Sequence, residues 1–208
     1  MLSFETILLF VTASTLLALA PGPDNLFVLA ESMRRGVKAG IMVTLGLMTG
    51  LIVHTTAVAL GVAAIFQTSQ LAFDLLKYVG AAYLLYLAVL SFRATGKSRL
   101  AEAKEELGSL QLYRRGILMN VTNPKVSIFF LAFLPQFTDP SRGSVTLQIF
   151  LLGFLFFLSA LIVFSLISLL AGRIGAWFMQ TEHAEKFLNR AAGTVFGLLA
   201  LKLLFTER

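Results

Sequence analysis

Hydrophobic positions in this chain fall in long unbroken runs, and polar positions collect in the gaps between them. Residues 6–23 carry no formal charge. Residues 39–73 contain no Asp, Glu, Lys or Arg, enough for one long span and a turn near Gln67-Thr68-Ser69-Gln70. Further runs cover 75–92, 116–137, 143–172 and 187–205. A helix needs roughly 20 apolar residues to cross a bilayer core about 30 Å thick. A membrane barrel would need strict alternation over about 10 residues, and runs such as Ile149-Phe150-Leu151-Leu152 do not alternate. Backbone polar groups in lipid must be paired within the segment, which makes each run a helix. The pattern predicts an all-α integral membrane protein of six transmembrane helices.

Two of those runs are interrupted. Pro21-Gly22-Pro23 breaks the first, and Asn123-Pro124, followed by Lys125, breaks the fourth. The remaining spans are continuous. The order broken, long, short-polar-start therefore occurs twice, with Lys77 three positions before Gly80 and Arg190 three before Gly193. This predicts one transmembrane domain made of repeat one (1–92), a basic loop (93–115) and repeat two (116–208). Three spans per half would insert the second repeat upside down. Leu100, Ala103 and Leu107 recur at helical spacing, so the basic loop should be partly helical. Asp139-Pro140-Ser141-Arg142-Gly143 reads as a turn, and Arg173 to Lys186 as a polar connector.

Charge placement sets an orientation. Arg34, Arg35 and Lys38 follow the first span and six basic residues lie in 93–115, against Arg142 alone in the alternate loops. Positive loops stay in the cytoplasm, which puts both termini on the opposite side. Ala18-Leu19-Ala20 resembles a signal-peptidase site, but Met1 to Glu5 holds no base and Pro21 follows directly, so the first span should be retained.

Composition removes several function classes. Hydrophobic residues make up 57% and charged residues 13% of the chain, where a soluble domain carries about 25% charged residues. The net charge of +6 is accounted for by loops at span ends and gives no sign of nucleic acid as a partner. With no cysteine, disulfides, thiolate metal sites and cysteine nucleophiles are excluded; His54 and His183 are too few for a histidine-rich metal centre. No phosphate-cradling glycine-lysine motif is present, and no cofactor is expected. Gly46 with Gly50, and Gly193 with Gly197, form small-residue faces that let helices pack closely, within one chain or between copies in a homo-oligomer.

The breaks carry the candidate chemistry. Proline cannot donate a backbone hydrogen bond and clashes with the preceding turn, so a broken helix at membrane depth persists where it lines a cavity. Matching broken helices in two halves point to a secondary transporter. Asp24 and Asn25 follow the first break. An acid at that depth suggests function, though Asp24 could equally cap the helix restarting at Asn25 or Leu26. Lys125 follows the second break, and Asn120 and Asn123 would share one face of a regular helix. An acid and a base at paired breaks suit a zwitterion, Asp24 meeting an ammonium and Lys125 a carboxylate. The candidate substrate site is Pro21, Gly22, Pro23, Asp24, Asn25, Asn120, Asn123, Pro124 and Lys125. Candidates for proton coupling are Asp24, His54 within the second span, and Glu31, which lies at the membrane edge beside Arg34 and Arg35. Rival readings are an intramembrane enzyme using His54 and a span serine such as Ser165, a non-catalytic assembly subunit, and a channel.

These residues resemble the lysine exporter / homoserine–threonine resistance (LysE/RhtB) family of amino-acid exporters. The resemblance rests on Ala20-Pro21-Gly22-Pro23, Arg34-Arg35-Gly36, Ala39-Gly40, Gly46 and Gly50, then Asn120, Asn123-Pro124-Lys125, Phe129-Phe130 and Phe133-Leu134-Pro135-Gln136-Phe137. It covers nearly the whole chain and implies a bacterial inner-membrane protein, not an enzyme, that exports amino acids or close derivatives. Homoserine or threonine, leucine or similar, and homoserine lactone are the implied cargoes, exchanged for protons. The motif positions carried over are Pro21, Gly22, Pro23, Asn123, Pro124 and Lys125. Roles for Asp24 and Asn25 rest on the residues themselves.

Overall fold

The computed structural model describes the backbone of residues 2–68, 70–93, 107–180 and 182–205, and the side chains there except at 62–68, 70, 72, 73, 76, 172–180, 182–188, 202 and 203. Eight α-helices run in order: α1 (Phe4–Leu19), α2 (Pro23–Arg35), α3 (Val37–Thr68), α4 (Gln70–Arg93), α5 (Ser109–Val121), α6 (Pro124–Ile128), α7 (Val145–Gln180) and α8 (Glu182–Phe205). No strand occurs among the described residues. Helices α1 and α2 form one broken span bent by 57°, and α5 with Pro124–Phe137 forms another bent by 49°. Helices α3 and α7 are each long and apolar enough to cross a membrane, so with the two bent pairs up to four spans are met among the described residues, two of them broken at proline as the sequence predicts; α4 and α8 are the further long helices.

The termini of these elements follow local chemistry. Ser3 caps α1 by accepting from the Thr6 N–H at 3.2 Å. Gly36, at φ +84°, ends α2 and lets α3 begin at the next residue, a left-handed conformation that glycine adopts without penalty. Beyond α6 the helix widens into a π turn at Phe129–Phe133, where Leu134 N–H reaches back five residues to Phe129 O, and then tightens to a 3-10 turn holding Pro135. The proline has no N–H and would crowd the carbonyl four residues back, so a regular α-turn could not be kept there.

The turn after it is held by Asp139. Its carboxylate accepts from Ser141 N–H and Oγ and from Arg142 Nε at 2.6–3.0 Å. Those Ser141 bonds, then Arg142, hold the Asp139 carboxyl below the ordinary carboxylate range. The turn is therefore fully braced above that range and loosens as pH falls through the lowered value.

Two expectations need adjustment. The polar connector at 173–186 is helical in its backbone up to Gln180 and again from Glu182, so α7 and α8 extend through it. The helical spacing proposed at Leu100 and Ala103, the Ser69 turn position and the side chain of His183 lie outside the described residues, while Leu107 is described and is not helical.

Packing is governed by glycine. One face of α3 presents Gly46, Gly50 and His54, four residues apart, to α5. A Cβ at Gly46 would collide with Tyr113 O, and one at Gly116 would lie 2.5 Å from Val43 O, so these two backbones are in direct contact. A second face of α3 meets α7, where Thr55 sits against Gly153. Gly193 packs under the Phe92 ring, whereas Gly197 meets no described neighbour, so the second predicted small-residue face is used at one of its two positions. Helix α4 packs on α8, and α1 and α2 pack on α7. The centre is aromatic: Phe10, Phe129, Phe130 and Phe133 are at most 1% exposed, with ring centroids 4.9–6.2 Å apart. The outside is equally apolar. Leu60, Leu147 and Leu169 are 60–70% exposed, an arrangement that suits hydrocarbon and not water.

Replacing Gly46 by Val should cost about 1–3 kcal/mol through overpacking of α3 on α5. Thermal unfolding of the detergent-solubilised protein should show it, and Gly197→Val should leave the midpoint in place.

Candidate functional site

At the first break the chain passes from Leu19 to Pro23 through extended Gly22, and Pro21 cannot supply the N–H that a continuous helix would give Leu17 O. That carbonyl is buried and needs another donor. Lys125 supplies it from the opposite break: Nζ donates to Leu17 O at 3.3 Å and to Ala20 O at 3.0 Å. Asn25 Nδ2 donates to Ala18 O at 2.6 Å. Gly22 makes room, since a Cβ there would lie 3.0 Å from Lys125 Nζ.

The second break is built the same way. Asn123 caps α6, accepting from Lys125 N–H at 3.0 Å, and Pro124 takes the first helical position, where its missing N–H costs least. Asn120 O, four residues before Pro124, is the carbonyl left without its helical donor. It accepts from Asn123 N–H at 3.0 Å and lies 3.1 Å from His54 Nε2 on α3. A carbonyl can only accept, so His54 carries its proton on Nε2. The Asn120 side chain then reaches across to the first break, its Nδ2 donating to Asp24 Oδ2 at 3.1 Å. Gly50 permits this, because a Cβ there would lie 2.5 Å from Asn120 Oδ1.

Asp24 and Lys125 each stand one residue after the proline that opens their half-helix. Each side chain engages the C-terminal end of the other span's first half, Lys125 at α1 and Asp24 at α5. They are 2% and 8% exposed and line one small cavity with Asn120. No ion pair within 4.0 Å joins them among the described residues. Asp24 Oδ1 and Asn120 Oδ1 have no hydrogen-bond partner there. The rest of the lining is apolar, including Leu51, Val126 and Phe156. The cavity measures about 10 Å³, room for one water molecule. The site is thus closed, dry-walled and bipolar, with unpaired acceptors beside a cation.

Residues 15–207 match the LysE type translocator family. The chain belongs to that family. It is also 34% identical over 202 residues, 97% of both chains, to a homoserine/homoserine lactone efflux protein of Salmonella typhimurium. An uncharacterized membrane protein of Pseudomonas aeruginosa is 34% identical over 199 residues, covering 93% of this chain and 92% of that one. A Vibrio cholerae membrane protein is 30% identical over 189 residues, 91% of each. No solved structure matches the chain. As a LysE type translocator it is a multi-pass membrane transporter and not an enzyme, and its partners are a small-molecule substrate and the bilayer.

Within this translocator the residues expected at the site are brought together, with three differences in role. Asp24 is not the N-cap: Gly22 is, Pro23 is the first helical residue and Asp24 the second, because proline suits that position. Asn25, expected at the substrate site, instead closes Ala18 O of α1 with its amide. Asn120 and Asn123 do not act from one regular face, since α5 ends at Val121 and Asn123 heads α6. Glu31 stands apart from the cavity, paired with Arg34 at 3.5 Å and Arg35 at 3.1 Å, and Arg35 Nη1 donates to Leu107 O at 2.6 Å. Sequence reasoning assigned Gly50 to packing alone and did not foresee its part in seating Asn120. It also missed the backbone acceptors of Leu17, Ala18 and Ala20. Their signal was present: each lies within four residues of a proline or its glycine neighbour.

Lys125→Met should leave two buried carbonyls without donors. At about 1–3 kcal/mol for each, thermal unfolding should show a loss of roughly 2–6 kcal/mol, larger than for Lys38→Met at an exposed helix start.

Proposed function

We propose that this translocator exports an amino acid or close derivative across the bacterial inner membrane in exchange for protons. The observation that carries the reading is the pair Asp24 and Lys125, opposite charges at matching positions after two breaks, lining one cavity without touching each other. A substrate ammonium fits the free acceptors Asp24 Oδ1 and Asn120 Oδ1. Lys125 uses two of its three N–H groups on α1 carbonyls, which leaves one for a substrate carboxylate or lactone carbonyl. The efflux protein of Salmonella typhimurium, named for homoserine and homoserine lactone, has cargo of this kind.

A cavity of about 10 Å³ holds no amino acid, so the breaks part for loading and release in the proposed cycle. In the proposed cycle the repeats 1–92 and 116–208, joined by the loop 93–115, are inverted copies that rock against each other about the breaks. A proton and an ammonium compete for Asp24. Protonation from the outer side removes the charge that holds the substrate, and loss of that proton to the cytoplasm restores it. His54 is the second candidate for the proton path, its Nε2 held at 3.1 Å by Asn120 O. Glu31, bound to Arg34 and Arg35, is the third and sits two helical turns from Asp24.

Asp24→Asn, inserted to the wild-type level, should lower export at least 10-fold, the weight of one charge-assisted hydrogen bond of about 1.5–3 kcal/mol. Cells loaded with dipeptides and assayed for free amino acids in the medium provide the measurement. Wild-type export that ignores collapse of the pH gradient would remove proton exchange from the reading; export by the variant at the full rate would remove Asp24.

A further inference from the structure

A second opening lies beside the polar cavity. It is an apolar cleft of about 330 Å³ between α3 and α7, lined by Leu51, Ile52, Phe150, Phe154 and Phe157, with Thr55 and Thr56 at its side. Leu51 lines both this cleft and the cavity that holds Asp24, Asn120 and Lys125. On α7 the two spaces are bordered by adjacent residues, Phe156 on the polar cavity and Phe157 on the cleft. Leu51 itself is 1% exposed, so it stands as an inner partition. The outer rim is Ile52 and Phe154, each 56% exposed toward the bilayer.

We propose that this cleft is the side-chain pocket of the transport site and takes the hydrocarbon portion of an aliphatic amine or amino acid. The inference rests on the efflux reading above. The occupant follows from continuity and chemistry. The polar cavity offers groups for an ammonium and its neighbouring oxygen but only about 10 Å³ of space, and the adjoining cleft offers 330 Å³ with almost no polar surface. A volume of that order is at the lower end for small-molecule sites, about 300–1,000 Å³. The Thr55 hydroxyl is spent on Leu51 O at 2.8 Å, so it does not call for a polar substrate group. A rotation of Leu51 joins the two spaces into one site with a charged head end and an apolar tail end. Its lipid-side rim places no wall against a longer chain.

The experiment uses the purified full-length protein in liposomes with a pH gradient and the unbranched series alanine, 2-aminobutyrate, norvaline and norleucine. Each methylene moved from water to an apolar pocket is worth about a fourfold gain in affinity. Half-saturating concentrations should therefore fall along the series by about 60-fold in total. Ile52→Trp, which fills the rim, should flatten the series, and Leu169→Trp on the exposed face of α7 should preserve it. A flat series in the wild-type protein, with export of every member intact, overturns the cleft assignment, assigns the space to lipid and leaves the efflux reading standing. Export of no member overturns the cleft assignment, and if homoserine and its lactone are not exported either the efflux reading falls with it.

Discussion

Proline at membrane depth creates a debt of hydrogen bonds that the helix itself cannot settle in full, and the centre of this protein is organised by how side chains complete it. Pro21 withholds a donor from Leu17 O, and Pro124 withholds one from Asn120 O. In a hydrocarbon-walled interior an unpaired carbonyl costs several kcal/mol. Neither break supplies its own missing donor in full. Lys125, from the second break, serves α1. His54, from the helix packed on α5, serves Asn120 O. Each broken span is therefore stable in the presence of the other half of the molecule, and Lys125, which satisfies the backbone of α1, also lines the cavity.

Electrostatics adds direction to this exchange. Asp24 occupies the second position of α2, where the positive end of the helix favours an anion. Lys125 occupies the same position of α6, where its own helix disfavours a cation. It avoids that penalty by reaching to the C-terminal carbonyls of α1, the negative end of another helix. The outcome is a buried acid and a buried base that are both held by partners other than each other. A direct Asp24–Lys125 pair would have neutralised the site and filled it. Their separate tethers leave Asp24 Oδ1 and Asn120 Oδ1 open, which is what a ligand of mixed charge requires.

Much of this was legible from residue order. Charge-free runs fixed the spans, because helix is the solution lipid allows for a single segment, and proline marked both breaks. The polar residues at the breaks were found because polar side chains at that depth have few reasons to exist. Their roles were less legible. Asp24 reads as a helix cap by local preference, but Pro23 claims the first helical position and moves the cap to Gly22. The amide of Asn25 is then free to turn backward to Ala18 O. Lys125 reads as the receptor of a carboxylate, and its main partners prove to be backbone atoms 105 and 108 residues away. No local pattern encodes such a pairing. The apolar cleft between α3 and α7 was also invisible, since its lining residues look like any other lipid-facing positions until the two helices are placed together.

The same bonds indicate where the molecule can move. The α3–α5 contact is backbone against backbone at Gly46 and Gly116, and α3 meets α7 through Thr55 set against Gly153. Such interfaces have no slack: a displacement of a few tenths of an ångström produces collision or a void. They are suited to remain rigid. The breaks differ in kind. They are closed by Lys125, Asn25 and Asn120, whose hydrogen bonds are to single atoms and can be exchanged for bonds of similar strength to a bound ligand. In the proposed cycle an ammonium at Asp24 Oδ1 would compete for the charge that Asn120 now helps to hold, and a carboxylate at Lys125 would compete with Leu17 O, the longer of its two bonds at 3.3 Å. Opening at residues 20–23 and 121–124 in that cycle would leave the glycine contacts that hold α3, α5 and α7 together undisturbed.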